Sequence, residues 1–351
     1  MNELRSPRLL VMVASLVVGV AIGVVLSRGA ERGRDGPQKL VIGLSLDTLK
    51  EERRQRDRDE FVARAKSLGA EVLVQSANSD DARQLSDVEA LVSRGVSALV
   101  IVPHDGLAMA KAVAVAHRAG IPVLSYDRLI RNADVDLYVS FDNVRAGELQ
   151  AKYLVGHLPP GPKKIVRIYG SRSDNNASLF KEGQDKIILP LARSGMVTIV
   201  HEDWADDWKP EAAKKIVNAA ITRHPEGIEG VLASNDGTAS GAIQALIEEG
   251  LGGKVVVTGQ DADLAACQHI ARGTQHMTIY KPIKQLALRA AEAAVRLGRR
   301  QVVVAKETVN NGSVDVPSIL VDVVTVTKEN LEETVVRNGF QKHEDVFGSV
   351  K

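Results

Sequence analysis

From residue 39 onward, short runs of β-branched and other apolar residues alternate with stretches that have helical periodicity. The first five runs occupy residues 40–46, 72–75, 98–102, 123–125 and 137–141. Runs that are almost continuously apolar are typical of parallel strands buried on both faces between layers of helices. The helical stretches between them end at Gly69, Gly95 and Gly120, where a left-handed glycine leads into the next run. The pattern predicts an α/β fold with a doubly wound parallel sheet.

The same alternation begins again after a break rich in proline and glycine at residues 157–162. The second set of runs covers residues 165–169, 198–200, 230–234, 255–259 and 277–280. The two halves share this pattern but cannot be aligned by identity, so the repeat is one of structure. We therefore predict two similar doubly wound parallel-sheet lobes in one chain.

Polar side chains follow the predicted strands at the points where they end. The most prominent are Asp47, Asn78, His104, Asp127, Arg128, Asp142, Asn143, Asp174, Asn175, Asn176, Asp203, Asn235, Asp236, Asp261 and Lys281. In an open parallel sheet, ligands bind outside the carboxyl ends of the strands. Two lobes whose polar rims face each other would form a cleft. The rims are rich in acids, amides and bases and poor in pairs of a nucleophile with a base, which favours ligand binding over catalysis.

Composition and motifs exclude several other classes of function. Lys and Arg number 45 against 44 Asp and Glu, so the formal charge of +1 does not indicate a surface built to neutralise many phosphates, and we predict no nucleic-acid partner. The single cysteine, Cys267, excludes an internal disulfide framework, and the eight histidines show no metal-ligand spacing. Residues 250–254 resemble a phosphate-binding loop only superficially, because Val255 stands where Ser or Thr is needed. We predict no metal, no cofactor and no catalytic residue, and hence a protein that is not an enzyme.

The N-terminus carries an apolar segment at residues 9–26, preceded by Arg5 and Arg8. It is longer than the ~7–15 residues of a cleavable signal core and reaches the ~18 residues of a membrane span. A cleaved signal and a retained anchor are therefore two open alternatives. In both, Arg5 and Arg8 stay inside and the chain after about residue 36 faces outward, in the periplasm or at the cell surface. Residues 1–38 are assigned to this signal or anchor and a tether.

Seven segments carry a more specific pattern, namely residues 46–53, 123–128, 139–143, 174–177, 234–236, 259–264 and 280–282. In this order they resemble the bacterial D-xylose-binding proteins, a branch of the type I periplasmic sugar-binding proteins that serve ABC importers. The resemblance extends over about residues 39–340. Its most specific strings are Gln260-Asp261-Ala262-Asp263 and Asp174-Asn175-Asn176, whereas ribose binders and repressor sensor domains share the strand pattern.

The resemblance implies the type I periplasmic binding protein fold, in which three hinge crossings join the two lobes. By position, the chain crosses after about Asn143, again near Tyr280, and a third time around residues 310–315. The implied first lobe comprises residues 39–143 and 281–311, the second lobe residues 144–280 and 312–340, and the tail residues 341–351.

The resemblance also implies which residues contact the sugar. They are Lys50, Arg53, Asp127 and Arg128 in the first lobe, and Asp174, Asn176, Trp208, Asn235, Asp261 and Lys281 in the second lobe and hinges. The residue types suit a ring of hydroxyls, because carboxylates and amides accept hydrogen bonds while guanidinium and ammonium groups donate them. The flat ring of Trp208 would lie against the apolar C–H face of the sugar.

One position departs from the pattern. Where the family typically has a tryptophan directly after the arginine, this chain has Arg54. A guanidinium plane can stack on Trp208 or on the sugar, but it is not an aromatic wall. The aromatic sandwich, and the strict xylose selectivity that goes with it, is therefore not carried over to this chain.

The function that the resemblance implies is that of an exported, monomeric receptor which binds D-xylose or a related aldopyranose. It would deliver the sugar to the membrane subunits of an ABC permease. The alternative is a membrane-tethered sugar sensor that signals to a kinase or a chemoreceptor, and the apolar segment at residues 9–26 motivates it. A repressor's sensor half is disfavoured, because an export segment stands where a DNA-binding motif would be.

Overall fold

The computed structural model describes residues 39–348 with the exception of residue 51. From Val41 onward, these residues form one compact unit. The strands are β1 (Leu40–Leu46), β2 (Ala70–Ser76), β3 (Ala98–Ile101), β4 (Val123–Tyr126), β5 (Leu137–Phe141), β6 (Lys163–Tyr169), β7 (Val197–Trp204), β8 (Gly230–Ala233), β9 (Val256–Val257), β10 (Met277–Tyr280), β11 (Glu307–Asn310), β12 (Asp315–Val321) and β13 (Val324–Thr327). The helices are α1 (Glu52–Ser67), α2 (Asp81–Ser93), α3 (Ala110–Arg118), α4 (Asn143–His157), α5 (Asn175–Arg193), α6 (Pro210–Arg223), α7 (Asp236–Glu248), α8 (Leu264–Arg272), α9 (Ile283–Gly298) and α10 (His343–Phe347), with short turns of helix at Asp206–Trp208 and Glu332–Val336.

Seven strands form the first sheet, in the order β11-β12-β5-β4-β3-β1-β2. The neighbours from β12 to β1 run parallel, and β11 is antiparallel to β12 at one edge. Strands β3, β4 and β5 are buried along their whole length, as strands between helix layers are. Together with α1, α2, α3 and α9, this sheet makes the first lobe.

Four parallel strands form the second sheet, in the order β7-β6-β8-β9. Beside it lies the antiparallel pair β10 and β13, and the backbone N–H of His276 donates to the carbonyl of Val257 at 3.0 Å. Helices α4 to α8 pack on these strands and on each other. The structure therefore confirms two mostly parallel sheets with helices, one in each half of the fold.

Each lobe has an apolar core of its own. In the first lobe, Leu99 of β3 and Val123 of β4 pack with Val113 of α3. In the second lobe, Val231 of β8 packs with buried residues of α6 and α7, such as Ile243. Two separate cores give two firm supports for the loops that follow the strands.

All ten apolar runs coincide with the strands β1 to β10, which confirms that part of the prediction. Gly69, Gly95 and Gly120 have φ values of 81°, 71° and 70°, the left-handed conformation expected at the ends of these helices. Strands β11, β12 and β13 were not predicted from the sequence.

The third hinge crossing is not where the sequence analysis placed it. Strand β12, Asp315–Val321, pairs in parallel with β5, so it extends the sheet of the first lobe and does not belong to the second. The chain crosses only between β12 and β13, because β13 pairs with β10. The crossing predicted around residues 310–315 is instead the turn between β11 and β12.

The predicted export segment at residues 9–26 lies outside the described residues. Within the described part of the chain, no helix combines the length and the apolar character that a bilayer crossing requires.

Helices α4 and α5 approach each other closely at two glycines. A Cβ atom on Gly147 would lie 2.1 Å from the carbonyl oxygen of Phe180, and one on Gly183 would lie 2.0 Å from that of Val144. Backbone atoms cannot give way at such distances, so both positions exclude a side chain.

We expect Gly147→Ala to destabilise the fold by about 1–3 kcal/mol, because the added methyl group forces the two helices apart. The matched control is Gly156→Ala in the same helix, where a Cβ would meet nothing within 4 Å. That change should stabilise the helix by up to about 1 kcal/mol, since alanine has the higher helix propensity. Urea unfolding of both variants checks this, and equal effects would contradict the close packing of α4 and α5.

Candidate functional site

A cavity of about 150 Å³ lies between the two lobes, at the carboxyl ends of their strands. It is smaller than the ~300–1,000 Å³ typical of sites for drug-sized ligands, which suits a small molecule. Nine predicted site residues contribute to its wall: Arg53, Asp127, Arg128, Asp174, Asn176, Trp208, Asn235, Asp261 and Lys281. The tenth, Lys50, is exposed and lies outside this wall.

Alternating acidic and basic side chains form a continuous chain around the cavity, which we call the ion-pair chain. Arg53 contacts Asp261 at 3.2 Å and Asp127 at 2.6 Å. The other carboxylate oxygen of Asp127 lies 2.8 Å from Arg54, whose Nε lies 3.2 Å from Asp47. The ion-pair chain therefore passes from the second lobe, at Asp261, deep into the first.

The ion-pair chain then returns to the second lobe. Arg128 lies 3.0 Å from Asp47 and 2.9 Å from Asp174. At the opposite end, Lys281 contacts Asp261 at 3.3 Å and is only 2% exposed. Arg53–Asp261 and Arg128–Asp174 thus join the lobes directly across the cavity.

Burial and charge act in opposite directions on these groups. Burial by itself raises the pKa of the Asp127 carboxyl, but Arg53 and Arg54 outweigh it and hold that pKa well below its usual range. For Arg54, burial lowers the pKa, yet Asp47 and Asp127 raise it well above the usual value. Burial lowers the pKa of Lys281 despite the neighbouring Asp261.

The backbone carbonyl of Asp127 is a second connection between the lobes. Asp127 has a φ of 62°, and its carbonyl accepts hydrogen bonds from Ser140 at 2.7 Å and from Tyr138 and Asn176 at 3.1 Å each. Asn176 in turn accepts from Asn143 at 3.0 Å, at the start of the first crossing. Much of the hydrogen-bonding capacity of Asn176 is therefore used between the lobes.

Two helix N-termini position further side chains at the cavity. Asp174 caps α5 by accepting from the backbone N–H of Asn176 at 2.9 Å. Asn235 caps α7, where its Oδ1 accepts from the backbone N–H of Thr238 at 2.8 Å. Because that oxygen is engaged in the cap, Asn235 presents its amide NH₂ to the cavity as a donor.

Trp208 is held on three sides. Its indole N–H donates to Asp174 at 3.2 Å, its ring meets Phe180 edge-on at 6.3 Å, and its flat side covers Gly170. A Cβ on Gly170 would lie 2.0 Å from the indole ring, so only glycine fits there. Trp204 instead packs with Tyr169 and Arg172, outside the cavity wall.

The loops of the site store backbone strain. Among the described residues, nine non-glycine residues have a positive φ, and seven of them lie in loops at this cavity: Asn78, Ser79, Asp127, Asp207, Trp208, Asp261 and Ala262. Such conformations cost energy and persist only where the surrounding contacts enforce them. Their concentration here is typical of a functional site.

Several residues of the cavity wall were not among the predicted site residues. Asp47 and His104 appeared among the polar rim residues, and Gln260 in the specific string, so a signal existed for all three. Phe180 lies inside α5 and gave no signal. Arg54 is buried between Asp47 and Asp127, where it acts as their counterion. Among the described residues, no three His, Cys, Asp or Glu side chains are placed to hold a metal ion.

Asp57 lies directly beneath the ion-pair chain and is fully buried. One oxygen accepts from the hydroxyl of Tyr126 at 2.8 Å. The other has no hydrogen-bond partner and lies 3.7 Å from Arg54 and 3.8 Å from Arg53. Burial therefore outweighs the two arginines and raises the pKa of Asp57 to about 6.

Fold and cavity together define a two-lobed binding protein. The family model for the periplasmic binding protein domain matches residues 42–300. This chain therefore belongs to the periplasmic binding protein family.

Within that family the chain is similar to proteins named for a sugar. The D-xylose-binding periplasmic proteins of Haemophilus influenzae and Escherichia coli are each 49% identical to it, over 88% of this chain and 92% and 93% of theirs. A solved structure, a carbohydrate transporter solute binding protein from Chloroflexus aurantiacus in complex with D-glucose, is 35% identical with a TM-score of 0.82. That match covers 88% of this chain and 98% of the solved one.

The raised pKa of Asp57 predicts a pH-dependent stability. Folding moves this pKa from 3.8 to about 6, so the folded protein binds the proton more tightly and loses this stabilisation as the pH rises. Between pH 3.5 and 7, wild type should lose about 3 kcal/mol of unfolding free energy relative to Asp57→Asn.

Urea unfolding at a series of pH values measures this difference. Asp59→Asn, at an exposed position of the same helix, controls for the loss of a carboxylate from α1. A difference between wild type and Asp57→Asn that does not vary with pH would contradict the account.

Proposed function

We propose that this protein is an extracytoplasmic receptor that binds D-xylose, or a closely related aldopyranose, between its lobes and delivers it to an ABC permease. The observation that carries the proposal is the ion-pair chain around a small cavity. The identity of 49% to two D-xylose-binding periplasmic proteins supports the choice of sugar.

The charges of the cavity wall favour a neutral ligand. Arg53, Arg54, Arg128 and Lys281 each already contact at least one carboxylate. A ligand carboxylate or phosphate would compete with these aspartates and add uncompensated negative charge at a buried site. Sugar hydroxyls donate to carboxylates and accept from guanidinium and ammonium groups, so they can join the existing network without changing its charge.

The apolar side of the cavity favours a sugar ring. The Trp208 ring is fixed by Gly170, Phe180 and Asp174, so it offers a rigid flat surface to the C–H face of a pyranose. Arg54 contacts Asp47 and Asp127 and does not replace a second aromatic ring. Trp208 therefore forms an aromatic wall on one side of the cavity. We therefore expect selectivity for the pyranose ring, with weaker discrimination among aldopyranoses than a two-sided aromatic sandwich would give.

Delivery of the sugar requires that ligand binding changes the arrangement of the two lobes. Ligand contacts to Arg53 and Asp127 on one side and to Asp174 and Asp261 on the other would bias the pair of lobes toward closure. A permease that recognises the closed form would then distinguish loaded from empty receptor. The relatives' periplasmic names support a location outside the cytoplasm, and their description as binding proteins supports a role without catalysis.

Isothermal titration calorimetry tests the ligand. We expect binding heat with D-xylose, weaker heat with D-glucose and D-ribose, and none with D-glucuronate or D-xylopyranose 1-phosphate. The two acidic sugars control for the charge argument, because they keep the pyranose ring and add a negative charge. Absence of heat with every neutral aldose, or tighter binding of an acidic sugar, would contradict the proposal.

Gly170→Ala tests the wall formed by Trp208. The added methyl group would lie 2.0 Å from the indole of Trp208, so the ring must move away from residue 170. We expect affinity for D-xylose to fall roughly 5- to 150-fold, which corresponds to ~1–3 kcal/mol for overpacking, and the ligand-induced change in tryptophan fluorescence to shrink. Gly156→Ala, far from any close contact, should bind like wild type. Unchanged binding by Gly170→Ala would show that Trp208 is not part of the sugar site.

A further inference from the structure

The loop that carries Asp261 is wrapped around a carboxylate that takes no part in the cavity wall. This loop, residues 259–263, follows β9 and presents Asp261 to Arg53 at 3.2 Å and to Lys281 at 3.3 Å. Asp236, the first residue of α7, lies behind it and is 1% exposed. Asp236 does not line the cavity, so it has no direct route to a ligand.

Asp236 holds the loop at two points. Its backbone N–H donates to the carbonyl of Gln260 at 2.9 Å, just before Asp261. Its side-chain Oδ2 accepts from the backbone N–H of Asp263 at 3.0 Å, just after it. The carboxylate also accepts from Thr278 at 2.9 Å, and Thr278 in turn accepts from the backbone N–H of Ala262 at 3.2 Å.

The loop needs this support because its backbone is strained. Asp261 and Ala262 have φ values of 104° and 53°, both in the region that side chains disfavour. Two such residues in succession stay in place only if contacts on both sides enforce the conformation. The bonds from Asp236 and Thr278 are on the two sides of Asp261.

The fit between loop and carboxylate extends to Gly259. A Cβ there would lie 2.0 Å from Oδ1 of Asp236 and 2.4 Å from the amide nitrogen of Gln275, which donates to Asp236 at 2.8 Å. The loop therefore begins with the one residue that lets the backbone approach this carboxylate. Burial, with the charges of Asp263 and Asp261, raises the pKa of Asp236 well above its usual value, and the hydrogen bonds from Gln275 and Thr278 partly offset this rise.

We propose that Asp236 is a positioning residue for ligand binding, which holds residues 259–263 in the strained conformation that aims Asp261 into the cavity. The inference rests on the proposed function for its ligand, D-xylose. Asparagine at this position keeps the shape of the side chain but replaces one acceptor oxygen with an NH₂ donor. That donor would face the N–H groups that donate to the Asp236 carboxylate in the wild type. The loop then loses a bond at one end, and Asp261 leaves its place for part of the time.

A double-mutant cycle with calorimetry tests this role. Asp236→Asn should weaken D-xylose binding about tenfold in the otherwise wild-type protein, and hardly at all in a protein that already carries Asp261→Asn. Thr278→Val, which removes the hydroxyl between Asp236 and Ala262, should show the same dependence and serves if Asp236→Asn does not fold. Losses that add independently of Asp261 would overturn the proposal.

Asp185→Asn is the matched control. Asp185 is also a carboxylate of the second lobe, and it lies outside the cavity wall. It contacts two cations, Arg167 at 2.7 Å and Lys181 at 2.6 Å. Its replacement should lower the unfolding midpoint and leave the affinity unchanged. If it lowers the affinity as much as Asp236→Asn, the effect is one of general stability and the proposal fails.

Hydrogen exchange of the sugar-free protein separates this inference from the proposed function. In Asp236→Asn, amides of residues 259–264 should exchange at least about tenfold faster, while those of β6 and β8 keep their protection. Equal exchange in both proteins would overturn the positioning role, whatever sugar binds. If wild type binds no aldose but Asp236→Asn still exchanges faster than wild type at residues 259–264, the proposed function alone is refuted.

Discussion

Pairing of buried charge is the constraint on which the rest of the structure depends. Moving an ion out of water costs several kcal/mol, so the aspartates around the cavity are stable only beside guanidinium or ammonium groups. Asp127 illustrates this, since Arg53 and Arg54 reverse the effect of burial on its pKa. The charged groups that stabilise the cleft are also the groups that bind a polyol. Each of them can replace one of its hydrogen bonds within the network by a hydrogen bond to a sugar hydroxyl. Support of the fold and recognition of a ligand are therefore properties of one network.

The backbone places that network at the ends of the strands. Asp174 and Asn235 occupy helix caps, Asp127 sits at a left-handed turn after β4, and Asp261 lies in a loop fixed around Asp236. Each lobe supplies an apolar core beneath its own loops, and loops of the two lobes meet across the cavity. Strain is concentrated where two lobes must present precise geometry to a small ligand, as expected when the surrounding contacts can enforce it.

How much the sequence foretells depends on whether a feature is local. Strands β1 to β10 were predictable because most of them are buried and therefore form short, almost continuous apolar runs. Strands β11 and β13 are partly exposed and only four residues long, so they carry no such run. The third crossing was placed by the resemblance alone, and the pairing of β12 with β5 places it after β12. Arg54 shows a different limit, since its partner Asp127 is 73 residues away and only the fold brings them together. Asp236 appeared only as one of many polar residues that follow the strands, because its role depends on a loop that follows β9.

Binding of a neutral sugar between the lobes, by hydrogen bonds to the ion-pair chain, is tested most directly by a crystal structure of the protein grown with D-xylose. We expect one sugar in the cavity, with its ring against Trp208 and its hydroxyls within hydrogen-bond distance of Arg53, Asp174 and Asp261. A sugar bound elsewhere while the cavity holds only solvent, or a sugar that touches none of these charged groups, would contradict it.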